Sequence, residues 1–141
     1  MAKAVAKFIR LSPRKSRLVI DAIRGQYVND ALLFLRYSPQ RAAKAIYKVV
    51  HSAAANTMNQ AENDRRVVDE ESLKITAAFI DEGPRIKRVH PRAMGRVYPI
   101  IKPMCHITVE VDEVPRERKS TSRQRRVAAS AAASKNAATA E

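Results

Sequence analysis

The spacing of apolar residues along the chain switches between a two-residue and a three-to-four-residue period, and each switch marks an element. In residues 2–11, AKAVAKFIRL, Val5, Ile9 and Leu11 fall on one side of an extended chain and Ala4, Ala6 and Phe8 on the other, which predicts a strand. Ser12-Pro13 predicts a helix start, because a Ser hydroxyl satisfies orphan amides and Pro is pre-set for the first helical position. Leu18, Val19, Ala22 and Ile23 give that helix its apolar stripe and Gly25 ends it. Arg14, Lys15, Arg17 and Arg24 are left pointing outward or along the flanks. Asn29-Asp30 predicts the cap of a short second helix through Leu35, and Ser38-Pro39 repeats the start signal for a long third one. Its stripe is Ala43, Ile46, Tyr47, Val50, Ala54, Thr57, Met58 and Ala61, close to the helical period for about five turns.

Residues 62–72 carry five acids with no period, and then LKITAAFID (73–81) and MCHITVEVD (104–112) read as strands. In the second, Cys105, Ile107, Val109 and Val111 alternate with His106, Thr108 and Glu110, so one face is expected in the core and the other in water. Between these strands lies GPRIKRVHPRAMGRVYPIIKPMCH (83–106), with six Lys or Arg, four prolines, two glycines and no acid. Hairpin loops are usually two to five residues, whereas this connection is about twenty. At about 3.3 Å per residue its arms reach roughly 30 Å from the sheet. They hold too few apolar residues for a core of their own, and a surrounding polyanion supplies the missing countercharge. Prolines 84, 91, 99 and 103 stiffen the arms and block edge pairing, and Gly95 lets the chain reverse. A solvated mobile loop is the competing reading.

Charge sharpens this picture. Lys and Arg total 27 against 14 Asp and Glu, a formal net charge of +13 with a pI near 10.5 on 141 residues, which fits one domain plus tails that binds a polyanion. No apolar run approaches the ~20 residues of a membrane span, and MAKAVAKFIRLSPRK shows no secretory core, so a cytoplasmic protein with no membrane partner is expected. Cys105 is the sole cysteine, which excludes an internal disulfide and predicts a small buried thiol.

Catalytic readings find little to build on. Ser12-x-x-Lys15 has the spacing of some acyl-transfer enzymes, but their partner motifs are absent and a capping serine is the simpler account. His51, His90 and His106 lack the short spacing of a zinc site, and no Gly-rich phosphate loop accompanies the acids. No enzyme, cofactor or metal is expected. Tyr98 alone among the aromatics sits in the basic stretch, where it suits stacking on a base.

Three segments carry a family likeness. SPRKSRLVIDAIRG (12–25), SPQRAAKAIYKVVHSAAANT (38–57), and DEGPRIKRVHPRAMGR (81–96) followed nine residues later by HITVEV resemble the bacterial form of the large-subunit ribosomal protein 22 family, over roughly residues 1–112. The resemblance implies an α+β fold, a small three-stranded antiparallel sheet packed on about three helices with a long β-hairpin extension (82–105). It also implies a structural constituent of the large ribosomal subunit whose hairpin threads the ribosomal RNA and lines the nascent-peptide exit tunnel. Carried onto this chain, it puts Arg85, Lys87, Arg88, His90, Pro91, Arg92, Ala93, Met94, Gly95, Arg96, Tyr98 and Lys102 on the RNA-binding hairpin and tunnel wall. Ser12, Arg14, Lys15 and Arg17 fall on the globular RNA-facing surface, and His106 begins the returning strand. The implied partners are large-subunit ribosomal RNA, neighbouring ribosomal proteins and, at the tip, the nascent peptide, with no homo-oligomer. The chain departs from the family at Val97, where Ala is more usual, and at Lys102-Pro103-Met104-Cys105, where a basic run is more usual, so its returning arm is less cationic.

The tail, residues 113–141, has no counterpart in the family pattern and is basic first and Ala-rich last, which predicts disorder in the free protein. Arg116, Arg118, Lys119, Arg123, Arg125 and Arg126 are its candidate RNA contacts. From charge alone, a DNA-architectural protein or a loosely binding RNA chaperone remain alternatives.

Overall fold

A computed structural model describes residues 2–114 of the chain. Three strands, β1 (Ala2–Ile9), β2 (Leu73–Pro91) and β3 (Val97–Glu113), form one antiparallel sheet in the order β1-β3-β2. Helices α1 (Pro13–Ile23), α2 (Val28–Tyr37) and α3 (Arg41–Asn63) follow β1 in the chain. α3 lies against β1 and β3, α1 packs on β2, and α2 packs on α3. The expected α+β architecture is the observed one.

The core forms where periodicity placed it on β3: Cys105, Ile107, Val109 and Val111 are fully buried. They face Ile20 and Ile23 of α1, Ile46 and Val50 of α3, and Ile75 and Ile80 of β2, all in the same buried cluster. Loss of one such side chain to Ala typically costs 2–5 kcal/mol. The opposite sheet face carries no helix, yet Thr108 is buried there because Val5 and Phe79 flank it in register from the two neighbouring strands. The expected wet face is therefore wet only at its edges.

Local departures from the expected elements each have a cause. β1 keeps its alternation only to Ala6. A bulge between Ala6 and Ile9, with Phe8 at φ 57°, slips the phase so that Ala2, Ala4, Ile9 and Leu11 join the core side while Val5 and Phe8 stay exposed. His106 holds the bulge: its Nδ1 accepts the Phe8 amide at 3.0 Å and the two rings meet edge to face at 4.9 Å. In α1, Ile20 rather than Leu18 or Ala22 completes the stripe, since Pro13, Ser16, Val19, Ile20 and Ile23 face inward. Ser12 occupies the N-cap position but its hydroxyl makes no capping bond; its carbonyl accepts from the Ser16 amide and hydroxyl, both at 3.0 Å. α2 starts at Val28, one residue before the expected cap, and α3 starts at Arg41, two residues after Pro39.

The basic connection is the long hairpin that the resemblance implies, and not the structureless loop that its length and prolines suggest on their own: β2 and β3 continue pairing past the core to Pro91↔Val97. The prolines do not stop this, because Pro91, Pro99 and Pro103 sit within the paired arms and Pro84 falls at the register shift between Glu82 and Arg85.

β2 is an edge strand, and bare edge carbonyls and amides invite unwanted pairing. Here α1 and the turn after it cover that edge. The Gly25 amide donates to the Ile75 carbonyl and the Ile75 amide to the Gln26 carbonyl, at 3.1 and 3.0 Å. Farther along, the Arg24 guanidinium donates two hydrogen bonds to the Ala78 carbonyl (3.1 and 2.8 Å) and Arg17 two to the Ile80 carbonyl (3.2 and 3.1 Å). Replacing either arginine by Met is expected to destabilise the domain by about 1 kcal/mol, roughly 4 °C in a thermal melt, because a half-buried carbonyl loses a charged donor.

Cys105 is a buried thiol, as the pattern predicts. Burial pushes its pKa above the ordinary value, opposed by hydrogen bonds from the Ser16 side chain and the Leu11 backbone. A thiol that ionises later in the folded state contributes stability that is complete below the unfolded thiol's pKa, about 8.5, and is lost as pH rises from there through the higher folded value. Replacing Cys105 by Ala is accordingly expected to lower stability at pH 7 but to flatten the loss that sets in above the unfolded thiol's pKa, measured by urea titration.

Candidate nucleic-acid interface

The interface begins from the β2–β3 ladder. Beyond the shift at Glu82/Arg85 the two arms pair from Arg85↔Pro103 to Pro91↔Val97, seven residues a side, or roughly 23 Å at about 3.3 Å per residue. Residues opposite one another in a ladder share a face. One face therefore carries Arg85, Lys87 and Val89 with Pro103, Ile101 and Pro99, and the other Ile86, Arg88 and His90 with Lys102, Ile100 and Tyr98. Cations stand on both faces, and Lys87, Arg88, Arg92, Arg96 and Lys102 are exposed. So are the apolar Val89, Val97, Ile100 and Ile101. An arm that is cationic and apolar on both sides suits a partner that surrounds it.

The reversal is tight. Between Arg92 and Arg96 the chain makes a short turn (Ala93–Gly95) closed by the Arg92 amide to the Arg96 carbonyl at 2.9 Å and the Arg96 amide to the Ala93 carbonyl at 3.4 Å. Met94 and Gly95 take the left-handed conformation, φ 58° and 70°; Gly95 does so without steric cost, and Met94 pays it at the tip, where its side chain is 93% exposed. The Arg92 guanidinium lies 5.8 Å from the centre of the Tyr98 ring, so the tip presents a stacked cation and aromatic.

At the hairpin's base, Arg85 is held by Glu82 at 3.0 Å. Gly83 passes so close to β3 that a Cβ there would meet the Met104 carbonyl carbon and oxygen at 3.2 Å and His106 Nε2 at 3.3 Å. Ser12 and Pro13 border the same cleft as Glu82, Gly83, Arg85 and Pro103, so the start of α1 abuts the root of the hairpin.

Of the four residues expected on the globular surface, the fold divides what the sequence grouped. Arg17 lies on the α1 flank facing the β2 edge, where its Nε and Nη2 are engaged by Ile80, whereas Lys15 lies toward the start of α3, in a groove with Arg10 and Arg41. Arg14 is exposed and Ser12 half-buried between the two directions. Arg24, part of the basic helix face, is taken up by Ala78 and Asp21. Arg10, Arg36, Arg41, Lys44 and Lys48 escaped the motif reading; the signal available was a run without Asp or Glu from Ala31 to Ala61. The tail candidates Arg116, Arg118, Lys119, Arg123, Arg125 and Arg126 lie outside the described residues.

Among the described residues no cluster of His, Cys, Asp and Glu is arranged to hold a metal ion, and no helix is long and apolar enough to cross a membrane. The described residues thus define a small α+β body extended by a long, exposed basic hairpin. The family model for Ribosomal protein L22p/L17e matches residues 4–112, and the chain belongs to that family. It is a structural ribosomal protein and not an enzyme. It is 53% identical over 112 residues to the large ribosomal subunit protein uL22 of Desulforamulus reducens, covering 79% of this chain and 95% of that one. It is 50% identical over 113 residues to the uL22 protein of Nostoc punctiforme, covering 80% and 92%, and 48% identical over 112 residues to the uL22c protein of Thalassiosira pseudonana, covering 79% and 93%.

Gly83→Val is expected to leave the helical circular dichroism in place while lowering the melting temperature by several degrees, because the added side chain drives the hairpin's root away from Met104 backbone atoms that cannot yield. An unchanged melt would show that the root tolerates separation.

Proposed function

We propose that this protein is an integral constituent of the large ribosomal subunit, located with it in the cytoplasm, that binds large-subunit ribosomal RNA and sends its β2–β3 hairpin through that RNA to the wall of the nascent-peptide tunnel. The observation that carries the reading is the hairpin itself. Its paired arms leave the core by roughly 23 Å with cations on both faces and no acid after Glu82. In water such an element gains nothing from its exposed Val89, Ile100 and Ile101, and its like charges repel. Enclosed by RNA, the same arms bury their apolar side chains and place guanidinium forks where phosphate oxygens and unpaired bases lie. The relatives' names as large-subunit proteins support the assignment.

The roles then divide along the hairpin. Lys87, Arg88 and Lys102 contact phosphates on opposite faces of the arms, with Arg85 at the root. Arg92, Met94, Arg96 and Tyr98 surround the tip, where the turn at Ala93 and Gly95 is narrow enough to border a channel. His90 and Pro91 bring β2 into that turn. Ser12, Arg14, Lys15 and Arg17 support contacts from the body. Neighbouring ribosomal proteins and the passing peptide complete the surroundings, and the domain accounting for this is residues 1–112, with 113–141 as a basic appendage.

The test replaces Arg88, Arg92 and Arg96 by Ala together. The isolated chain should melt within about 0.5 kcal/mol of the parent, since these side chains are exposed. Binding to large-subunit RNA should weaken, with a slope of log K against log salt shallower by about 2 to 3. In cells, the variant should be stripped from the large-subunit peak by a high-salt wash that the parent survives. Equal retention would remove the hairpin from the RNA-binding surface, and equal affinity of the parent for duplex DNA would favour an architectural protein instead.

A further inference from the structure

The sheet changes character at one level. Up to the pairs Ile9↔Cys105 and Glu82↔Cys105 it has three strands, with helices packed on it; beyond them β2 and β3 continue alone as the hairpin. Two-stranded ribbons twist more than wider sheets and are marginal on their own, so the direction of the hairpin depends on what holds it where it leaves the body. Three irregularities meet at that level: β1 bulges between Ala6 and Ile9, the β2–β3 register shifts between Glu82 and Arg85, and Gly83 approaches the Met104 backbone.

The imidazole of His106 reaches across all three strands there. It belongs to β3, directly after the buried Cys105 and on the face away from the core. Toward β1, its Nδ1 accepts the Phe8 amide at 3.0 Å, and the two rings meet edge to face with centres 4.9 Å apart. Toward β2, its Nε2 lies 3.3 Å from the point where a Cβ on Gly83 would stand. A ring nitrogen that accepts carries no proton, so the N–H of this imidazole is on Nε2. Phe8 stands at φ 57°, a conformation unfavourable for a residue with a Cβ, and the bulge therefore needs a hold from outside β1. A bulge also raises the local twist of its strand, so the residue that fixes it fixes the angle between β1 and the strands that run on. The other tie at the root, Glu82 to Arg85, is more than half exposed at both ends and is weakened by water and salt.

We infer that His106 is the positioning residue of the hairpin: by tying the β1 bulge to the hairpin's root through Nδ1, it sets the direction in which the arms leave the body. Its part in RNA binding is direction rather than contact, and that consequence rests on the RNA-binding reading above. A hairpin already aimed loses less freedom when RNA closes around it.

The test labels the full chain at Val89→Cys on the arm and Ser52→Cys on α3, and reads the distance between the labels by pulsed electron spin resonance. The parent is compared with His106→Ala, His106→Gln and His106→Asn. Asn sets its Oδ1 as many bonds from Cα as Nδ1 and keeps an acceptor for the Phe8 amide, whereas Gln reaches past it to the Nε2 position. Cys105 is fully buried, and a count of two labels per chain confirms that it is spared. Ala and Gln should widen the distance distribution, and Asn should restore the parental width. Affinity for a transcript of bacterial large-subunit RNA should fall about threefold to tenfold in the Ala and Gln variants, with the slope of log K against log salt unchanged because no phosphate contact is lost. A thermal melt checks folding, and if the Ala variant does not melt cooperatively the Gln and Asn variants carry the comparison. Parental widths in the folded Ala and Gln variants would overturn the inference and leave direction to the β2–β3 ladder alone. An Asn variant as wide as the Gln one would also overturn it, since the ring and not its acceptor would then matter. Widening with RNA affinity unchanged would keep the latch and remove the hairpin from RNA binding, so that the proposed function fails separately.

Discussion

The β2–β3 ladder is the constraint on which the rest depends. The same two strands that supply the core its Ile75, Ile80, Ile107 and Val109 run on as the hairpin, so the exposed arms inherit their direction from a buried sheet. β3 is central, paired on both sides, and cannot shift without breaking β1 as well as β2. A slip of one residue would turn Cys105, Ile107, Val109 and Val111 out of the core together, which ties the register of the hairpin to the burial of four side chains.

The hairpin's root is arranged to protect that register. Gly83 lets β2 approach the Met104 backbone, Glu82 holds Arg85, and α1 begins beside them. Along the outer edge of β2, Arg24 and Arg17 satisfy the Ala78 and Ile80 carbonyls. Arg17, which the resemblance puts on the RNA-facing surface, thus closes a sheet edge together with Arg24. Arginine suits both uses because its fork saturates a carbonyl with one pair of donors and still carries its charge to the surface. On the opposite margin, His106 and Phe8 lock the β1 bulge that lets Ile9 and Leu11 reach the core.

The outcome is a division of charge by region. Acids gather at the end of α3 and just after it, at Asp81 and Glu82 in the middle of β2 and at the C-terminal end of β3, while the hairpin arms beyond Glu82 and the first half of α3 have none to temper their cations. That separation costs the free protein some self-repulsion, which a bound polyanion would relieve at the hairpin under the proposed function. Membership of the L22p/L17e family is consistent with this arrangement, since a constituent of a ribonucleoprotein particle completes its environment only after assembly.

Much of this was legible in the chain before any coordinates. The alternation around Cys105–Val111 identified the core face of β3, the long apolar stripe identified α3, and the acid-free run at 83–106 marked out the exposed basic hairpin. These are properties of local period and composition, and they persist in any fold that buries the apolar face. What stayed hidden depends on contacts between distant residues. The bulge at Phe8 needs His106, ninety-eight positions away; the burial of Thr108 needs Val5 and Phe79 beside it. By composition alone the basic arms read as a loop, because their proline content argues against strands; the resemblance implied the hairpin, and pairing of the arms with each other makes them one ladder. Likewise Arg17 and Lys15 look equivalent in sequence, but a helix turns two residues apart to opposite flanks, so one meets the edge of β2 and the other joins Arg10 and Arg41. Sequence determined which residues carry charge or seek burial; tertiary structure decided which of those charges stand together, because only packing brings separate segments onto one surface.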